Sequence, residues 1–207
     1  MKKQTFVFMG RSGCGKGTQA KLLVEYIKSM DPEKKDILYL ETGNKFRGFV
    51  KGDSYSARLS REIMESGKRQ PDFIAVGIWG NFFIENIKGN EHLICDGISR
   101  SMEEAKLLEQ AFDFYKREKP IIVYINVSND SVIDRMQKRA KIEGRQDDQK
   151  LEDIKKRLEW FETDVMPAVN YFKDNKNFIF WDIDGEPAVA EIFEDLKKRF
   201  DDLWKKE

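Results

Sequence analysis

The chain has 207 residues, and its 37 lysines and arginines equal its 37 aspartates and glutamates, so the formal net charge is zero. That balance excludes a wholesale basic footprint for nucleic acid or an anionic membrane. Hydrophobic residues at 40% and aromatics at 12% exclude a disordered chain, and no apolar run approaches the roughly 20 residues of a membrane span. Two cysteines, Cys14 and Cys95, form no disulfide framework, which points to a reducing, cytoplasmic setting. Length implies one domain with room for small inserts.

In chain order, short apolar runs alternate with longer amphipathic ones. Strands are predicted at Phe6–Met9, Ile37–Leu40, Leu93–Cys95, Ile121–Ile125 and Phe178–Trp181. Each is nearly continuous in apolar residues, as in parallel strands covered on both faces. Between them, Ala20, Leu23 and Ile27 recur at helical spacing, as do Leu151, Ile154, Leu158, Phe161 and Val165. A last helix follows Val189, Ile192, Phe193, Leu196, Phe200 and Leu203. The alternation predicts a doubly wound α/β sheet. Pro167 should kink the helix that holds it. Two segments look like excursions from the sheet: a helical one at 42–71 and a short, charged one at 139–149. His92 is the only histidine, which argues against histidine-based chemistry, and it is read as a surface residue.

The strongest local signal is Gly10-Arg-Ser-Gly-Cys-Gly-Lys-Gly-Thr18, between the first strand and the first helix. Glycines at this spacing followed by lysine form a phosphate loop, in which backbone N–H groups and a helix N-terminus surround phosphates. Gly13, Cys14, Gly15, Lys16, Gly17 and Thr18 are therefore candidate ligands of a nucleoside triphosphate, such as ATP or GTP, with Lys16 supplying the mobile charge. Gly17 stands where a hydroxyl usually follows the lysine, and Thr18 offers one a step later. Cys14 reads as a small filler, with a thiolate lowered by the helix N-terminus as the alternative.

Further motifs follow in order: Thr42-Gly-Asn-Lys-Phe-Arg47, Ser66-Gly-Lys68, Asp96-Gly-Ile-Ser-Arg100, then Arg135, Arg139, Arg145, Asp147, Asp148 and Arg157. Together with the loop, they resemble the adenylate kinases and the wider nucleoside monophosphate kinases over residues 5–195. The resemblance implies a five-stranded parallel core (1–41, 72–138, 150–207) with helices on both faces. It also implies a helical acceptor-binding insert (42–71) and a lid (139–149) of the short kind, without structural zinc. It implies reversible transfer from MgATP to AMP; the chain is expected to be a monomer, and its charge balance predicts no nucleic-acid or membrane partner. The matching positions make Lys16, Arg100, Arg139, Arg145 and Arg157 catalytic, and add Arg135 and Pro187 to the ATP site. Thr42, Arg47, Lys68, Arg69, Gln70, Gly97, Arg100, Glu104, Arg145 and Arg157 would meet AMP. Asp96, at the end of a buried strand, would hold Mg²⁺ through its water shell. Asp147 and Asp148 would orient the arginines when the lid shuts.

The chain departs from that pattern in a cluster. Ser12 replaces a proline, Ile98-Ser99 replaces Phe-Pro, Arg69-Gln70 replaces Leu-Val, and Glu104 stands for a glutamine. An ionised glutamate only accepts hydrogen bonds, whereas a glutamine also donates. Another monophosphate acceptor (GMP, UMP or CMP) is therefore the same-class alternative, and an ATP-binding module without transfer is the different-class one. One extra residue also lies between Arg145 and Arg157.

Overall fold

The computed structural model describes residues 2–144 and 148–205. The apolar runs become β1 (Thr5–Met9), β2 (Ile37–Glu41), β3 (His92–Asp96), β4 (Ile121–Asn126) and β5 (Ile179–Asp184). They pair in the order β2-β3-β1-β4-β5, and every pairing is parallel. Strand alternation sends successive residues to opposite faces. On one face Phe6 and Phe8 pack with Ala20, Leu23 and Ile27 of α1 (Lys16–Met30) and with Leu196 and Phe200 of α9 (Val189–Trp204). On the other face Val7 and Met9 meet Trp79 and Phe83 of α4 (Asp72–Asn86) and Leu108 and Phe112 of α5 (Met102–Phe114). Two buried faces explain the unbroken apolar runs of β1, β3 and β4, whereas the edge strand β5 ends in Trp181-Asp182-Ile183-Asp184, alternately buried and exposed. The first residues of the predicted helical stripes, Leu151 and Val189, are exposed, because each opens its helix away from the core.

After β2 the chain leaves the sheet as α2 (Thr42–Phe49) and α3 (Tyr55–Glu65). Ser54 caps α3, its hydroxyl accepting from Ala57 N–H at 3.1 Å. Arg61 ties the pair together by donating to the carbonyls of Val50 and Gly52. After β4, α6 (Asn129–Glu143) ends at Gly144 in the left-handed conformation. The chain then returns through α7 (Leu151–Trp160) and α8 (Met166–Asp174).

The expected kink at Pro167 takes a definite form. Between α7 and α8, Phe161–Val165 makes a π turn, closed by Met166 N–H donating to Phe161 O. Proline gives no N–H and its ring presses on the carbonyl four residues back. The wider turn just before it opens that ladder without breaking the rod. The two parts of the rod then serve different cores: Ile154 and Leu158 pack on one face of the sheet, Phe161, Val165 and Phe172 on the other.

His92 corrects the reading of it as a surface residue, for it is fully buried. Gln4 N–H donates to its Nδ1 at 3.1 Å, which assigns the ring proton to Nε2, 3.4 Å from Asp31 Oδ2. Asp31 in turn accepts from the backbone N–H groups of Glu33 and Lys35. The long connection before β2 therefore folds around one buried carboxylate. Burial holds the imidazole below its ordinary pKa, with Asp31 opposing.

Candidate functional site

All five strands point their carboxyl ends the same way, and β1 sits centrally, so the crevice where ligands bind in such sheets opens beyond β1, β3 and β4. The loop from Gly10 to Gly15 crosses this edge and delivers α1. Gly10 has φ +140°, and a Cβ there would lie 2.5 Å from Ile125 O, so only glycine lets the loop hug β4. Lys16 Nζ donates to Gly10 O and Arg11 O, both at 2.8 Å, and lies 3.6 Å from Cys14 Sγ. Cys14 is fully buried, in keeping with a filler, and both cysteines are free thiols.

Asp96 ends β3 facing this loop. A Cβ on Gly17 would lie 2.9 Å from Asp96 Oδ2, so the glycine after the lysine lets the carboxylate approach the first turn of α1. Tyr39 Oη donates to the same oxygen at 3.5 Å. Burial pushes the Asp96 carboxyl up, and the charges of Lys16 and Arg100 oppose it. A carboxylate with one long hydrogen bond keeps lone pairs for a hydrated cation. No cluster of three His, Cys, Asp or Glu residues suited to a metal occurs among the described residues. The donor set thus fits Mg²⁺ that keeps its waters and shares the phosphates, rather than an all-protein cage.

The arginines arrive from four elements. Arg100 follows β3, its Nε donating to Gly97 O at 2.9 Å. Burial lowers its pKa, and the charges of Arg157 and Arg47 add to that effect, so these three cations share one field. Arg47, on α2, is held by Glu41 Oε1 at 2.8 Å. Arg139 of α6 and Arg157 of α7 meet on one fully buried carboxylate: Arg139 Nε donates to Asp148 Oδ2 at 2.6 Å and Arg157 Nη1 to Asp148 Oδ1 at 2.7 Å. Arg157 Nη2 also donates to Ser12 Oγ at 2.9 Å, which brings it to the phosphate loop. Arg139 Nη2 is buried with no hydrogen-bond partner among the described residues. Arg135 donates to Cys14 O and Glu186 O. Glu186 is itself fixed by Ser128 N–H and the Ser131 hydroxyl, which pull its carboxyl down to about 2. This places the loop containing Pro187 beside α6. Arg145 and Asp147 lie outside the described residues.

On the acceptor side, Thr42 is buried and its hydroxyl has no partner among the described residues. Gln70 Nε2 donates to Ser60 O at 2.8 Å, and Lys68 is exposed. Two of the departures from the family pattern, Glu104 and Arg69, sit together. Glu104 is buried, and its oxygens accept from Arg100 N–H at 3.2 Å and from the Trp79 indole N–H at 3.3 Å. Arg69 Nη1 lies 3.9 Å from the same carboxylate, donates to Asp72, and its Nε donates to Asp164 Oδ2 at 2.9 Å. The Arg69 side chain is thus a counter-ion for three carboxylates. Burial pushes the Glu104 carboxyl up, with Arg100 opposing.

Sequence reasoning missed Arg11 and the π turn. Arg11 donates to Val127 O at 3.1 Å, pairs with Glu162, and lies over the Phe161 ring. Trp160 Nε1 donates to Gly67 O and Lys156 Nζ to Ser66 O, both at 3.3 Å. One rod therefore touches both the phosphate loop and the return of the 42–71 segment. The only available signal, Pro167, indicated a break without indicating its partners.

Among the described residues, no helix is long and apolar enough to cross a membrane. The family profile described as Adenylate kinase matches residues 8–177. The chain is 30% identical over 192 residues to an adenylate kinase of Leptospira biflexa, covering 93% of this chain and 97% of that one. It is 28% identical over 193 residues to one of Parabacteroides distasonis, covering 93% and 95%. An adenylate kinase of Bacteroides fragilis is 29% identical over 197 residues, covering 95% and 98%. With a phosphate loop, a facing aspartate and a converging set of arginines on a five-stranded parallel sheet, the chain belongs to the adenylate kinase family of nucleoside monophosphate kinases.

Proposed function

We propose that this enzyme transfers the terminal phosphoryl group of MgATP to AMP, with the 42–71 segment receiving the acceptor and the 139–149 segment closing over both nucleotides. The observation that carries the reading is the meeting of Arg139 and Arg157 on buried Asp148, beside Ser12 of the phosphate loop. Phosphoryl transfer needs alignment and charge neutralisation more than covalent help. Each residue then has a task. The loop amides and Lys16 take the donor phosphates, and Arg135 and Arg139 brace them. Arg47 and Arg100 take the acceptor phosphate, and Arg157, with Arg145, spans the gap. Asp96 would hold Mg²⁺ through water, where the ion neutralises charge on the phosphates. The acceptor is already an anion, so no general base is required. Closure over the site excludes water, which would otherwise take the phosphoryl group.

The test is an ATP-dependent assay with AMP, GMP, CMP, UMP and dTMP as acceptors. AMP should be turned over best. GMP turned over at least as well as AMP would refute AMP as the acceptor and make Glu104 the reason, since its carboxylate accepts from a base edge that carries N–H groups.

A further inference from the structure

A cavity of about 30 Å³ lies where the phosphate loop faces the end of β3, lined by Gly10, Ser12, Lys16, Gly97, Ser99 and Arg100 among others. Ser99 is unusual in two independent ways. It has φ +63°, a left-handed conformation that costs a non-glycine residue energy and that proline cannot adopt. Its side chain is also buried, at 1% exposure, and its hydroxyl has no hydrogen-bond partner among the described residues. A buried hydroxyl without a partner is costly. A strained backbone that presents one is the kind of feature that persists where a ligand uses it.

The walls specify the ligand. Lys16 Nζ is anchored on Gly10 O and Arg11 O, and Arg100 Nε on Gly97 O. Lys16, Arg100 and Ser99 all line this cavity, whose remaining wall is largely apolar, from Phe8, Met9, Ile98, Trp160, Phe161 and Val165. Two cations and a hydroxyl donor converging on one cavity fit a group with several acceptor oxygens and negative charge. We propose that the Ser99 hydroxyl is a phosphate ligand, donating a hydrogen bond to a phosphoryl oxygen held between Lys16 and Arg100. The proposal rests on the phosphotransferase reading and adds to it a contact that a proline at this position could not make.

Two substitutions separate the hydroxyl from the backbone. Ser99→Gly removes the hydroxyl and adopts positive φ freely, whereas Ser99→Ala removes the hydroxyl and keeps the strain. Both should lower kcat/KM by roughly 10- to 150-fold, the range for a hydrogen bond to a charged group. The glycine variant should melt no lower than the wild type. A fall in kcat alone assigns the contact to the phosphoryl group in transfer, and a rise in the acceptor KM assigns it to the acceptor phosphate. Wild-type kcat/KM in Ser99→Gly, with or without a loss in Ser99→Ala, would overturn the proposal. Calorimetric binding of inorganic pyrophosphate keeps the test independent of turnover. Weaker pyrophosphate binding by Ser99→Gly supports the contact even if the wild type transfers nothing to AMP, an outcome that would refute the activity instead. Where the wild type transfers nothing to AMP, unchanged pyrophosphate binding by Ser99→Gly would overturn the contact.

Discussion

Replacing Asp148 with asparagine keeps the shape of a fully buried side chain and removes its charge. In the wild type that carboxylate receives Arg139 Nε at 2.6 Å and Arg157 Nη1 at 2.7 Å. Asparagine retains one acceptor oxygen, and its amide nitrogen must face one guanidinium. One charge-assisted bond, worth about 1.5–3 kcal/mol, is lost outright. The other falls to the strength of a neutral acceptor, a further ~1 kcal/mol. The total of about 3 kcal/mol corresponds to roughly a 150-fold loss of kcat/KM if the two arginines act through this carboxylate. The ATP KM should rise less than kcat/KM falls, because Arg139 loosens on the donor phosphates while the loop amides and Lys16 are untouched. Steady-state kinetics in a coupled assay measure the effect, and a thermal melt separates it from misfolding. If Asp148 were only structural, about 3 kcal/mol would appear as a fall in melting temperature of roughly 6–12 °C with kcat retained. A kcat/KM within about threefold of wild type would refute the idea that Asp148 positions the transfer arginines.

The acceptor-side departures should behave as one unit. Glu104→Gln, which restores the family residue alone, turns an amide N–H₂ toward either the Trp79 indole N–H or Arg100 N–H. It should cost about 1–3 kcal/mol in a denaturant titration. Adding Arg69→Leu should cost less in the Glu104→Gln background than in the wild type, because Arg69 then has one fewer carboxylate to neutralise; simple additivity would contradict the coupling. His92 gives a pH dependence. Its folded pKa lies below the ordinary 6.5. As pH falls through 6.5 the unfolded chain takes up the proton first, so stability is fully present above 6.5 and declines below it. The slope should approach ~1.4 kcal/mol per pH unit until the folded imidazole titrates. His92→Asn should lose this slope between pH 6.5 and 5.5, and a slope unchanged in the variant would assign it elsewhere.

Much of this was legible in the sequence, for identifiable reasons. The central strands are legible because parallel strands buried on both faces leave unbroken apolar runs, as Ile121–Ile125 does; the run Phe178–Trp181 marks β5, whose alternating end, Asp182 to Asp184, lies beyond it. The phosphate loop was visible because its chemistry requires glycines and a lysine at fixed spacing. That Asp147 and Asp148 orient the arginines is implied only by the family resemblance; the structure brings Arg139 and Arg157 to Asp148. His92 was misread because a polar residue at the mouth of a strand is usually wet. Its partners, Gln4 and Asp31, lie 88 and 61 residues away in sequence. The Arg69 cluster was half visible: the substitutions stood out, but the carboxylates that explain them sit on α4, α5 and the π turn. Ser99 was visible only as a missing proline, since neither its backbone angle nor its unpartnered hydroxyl leaves a trace in composition.

The π turn at Phe161–Val165 sets a rule about which lengths of this chain are free to change. Surface connections tolerate insertions and deletions because nothing downstream depends on their phase. The rod from Leu151 to Asp174 has no such freedom. Upstream of the turn it aims Arg157 at the phosphate loop; downstream it buries Phe172 in the opposite core. Removing one residue within the turn would rotate one half against the other by roughly 100°. Either the guanidinium would leave the loop or the aromatic ring would leave the core. Among relatives of this chain that keep both contacts, residue number should therefore vary in the connections around the rod before it varies within it.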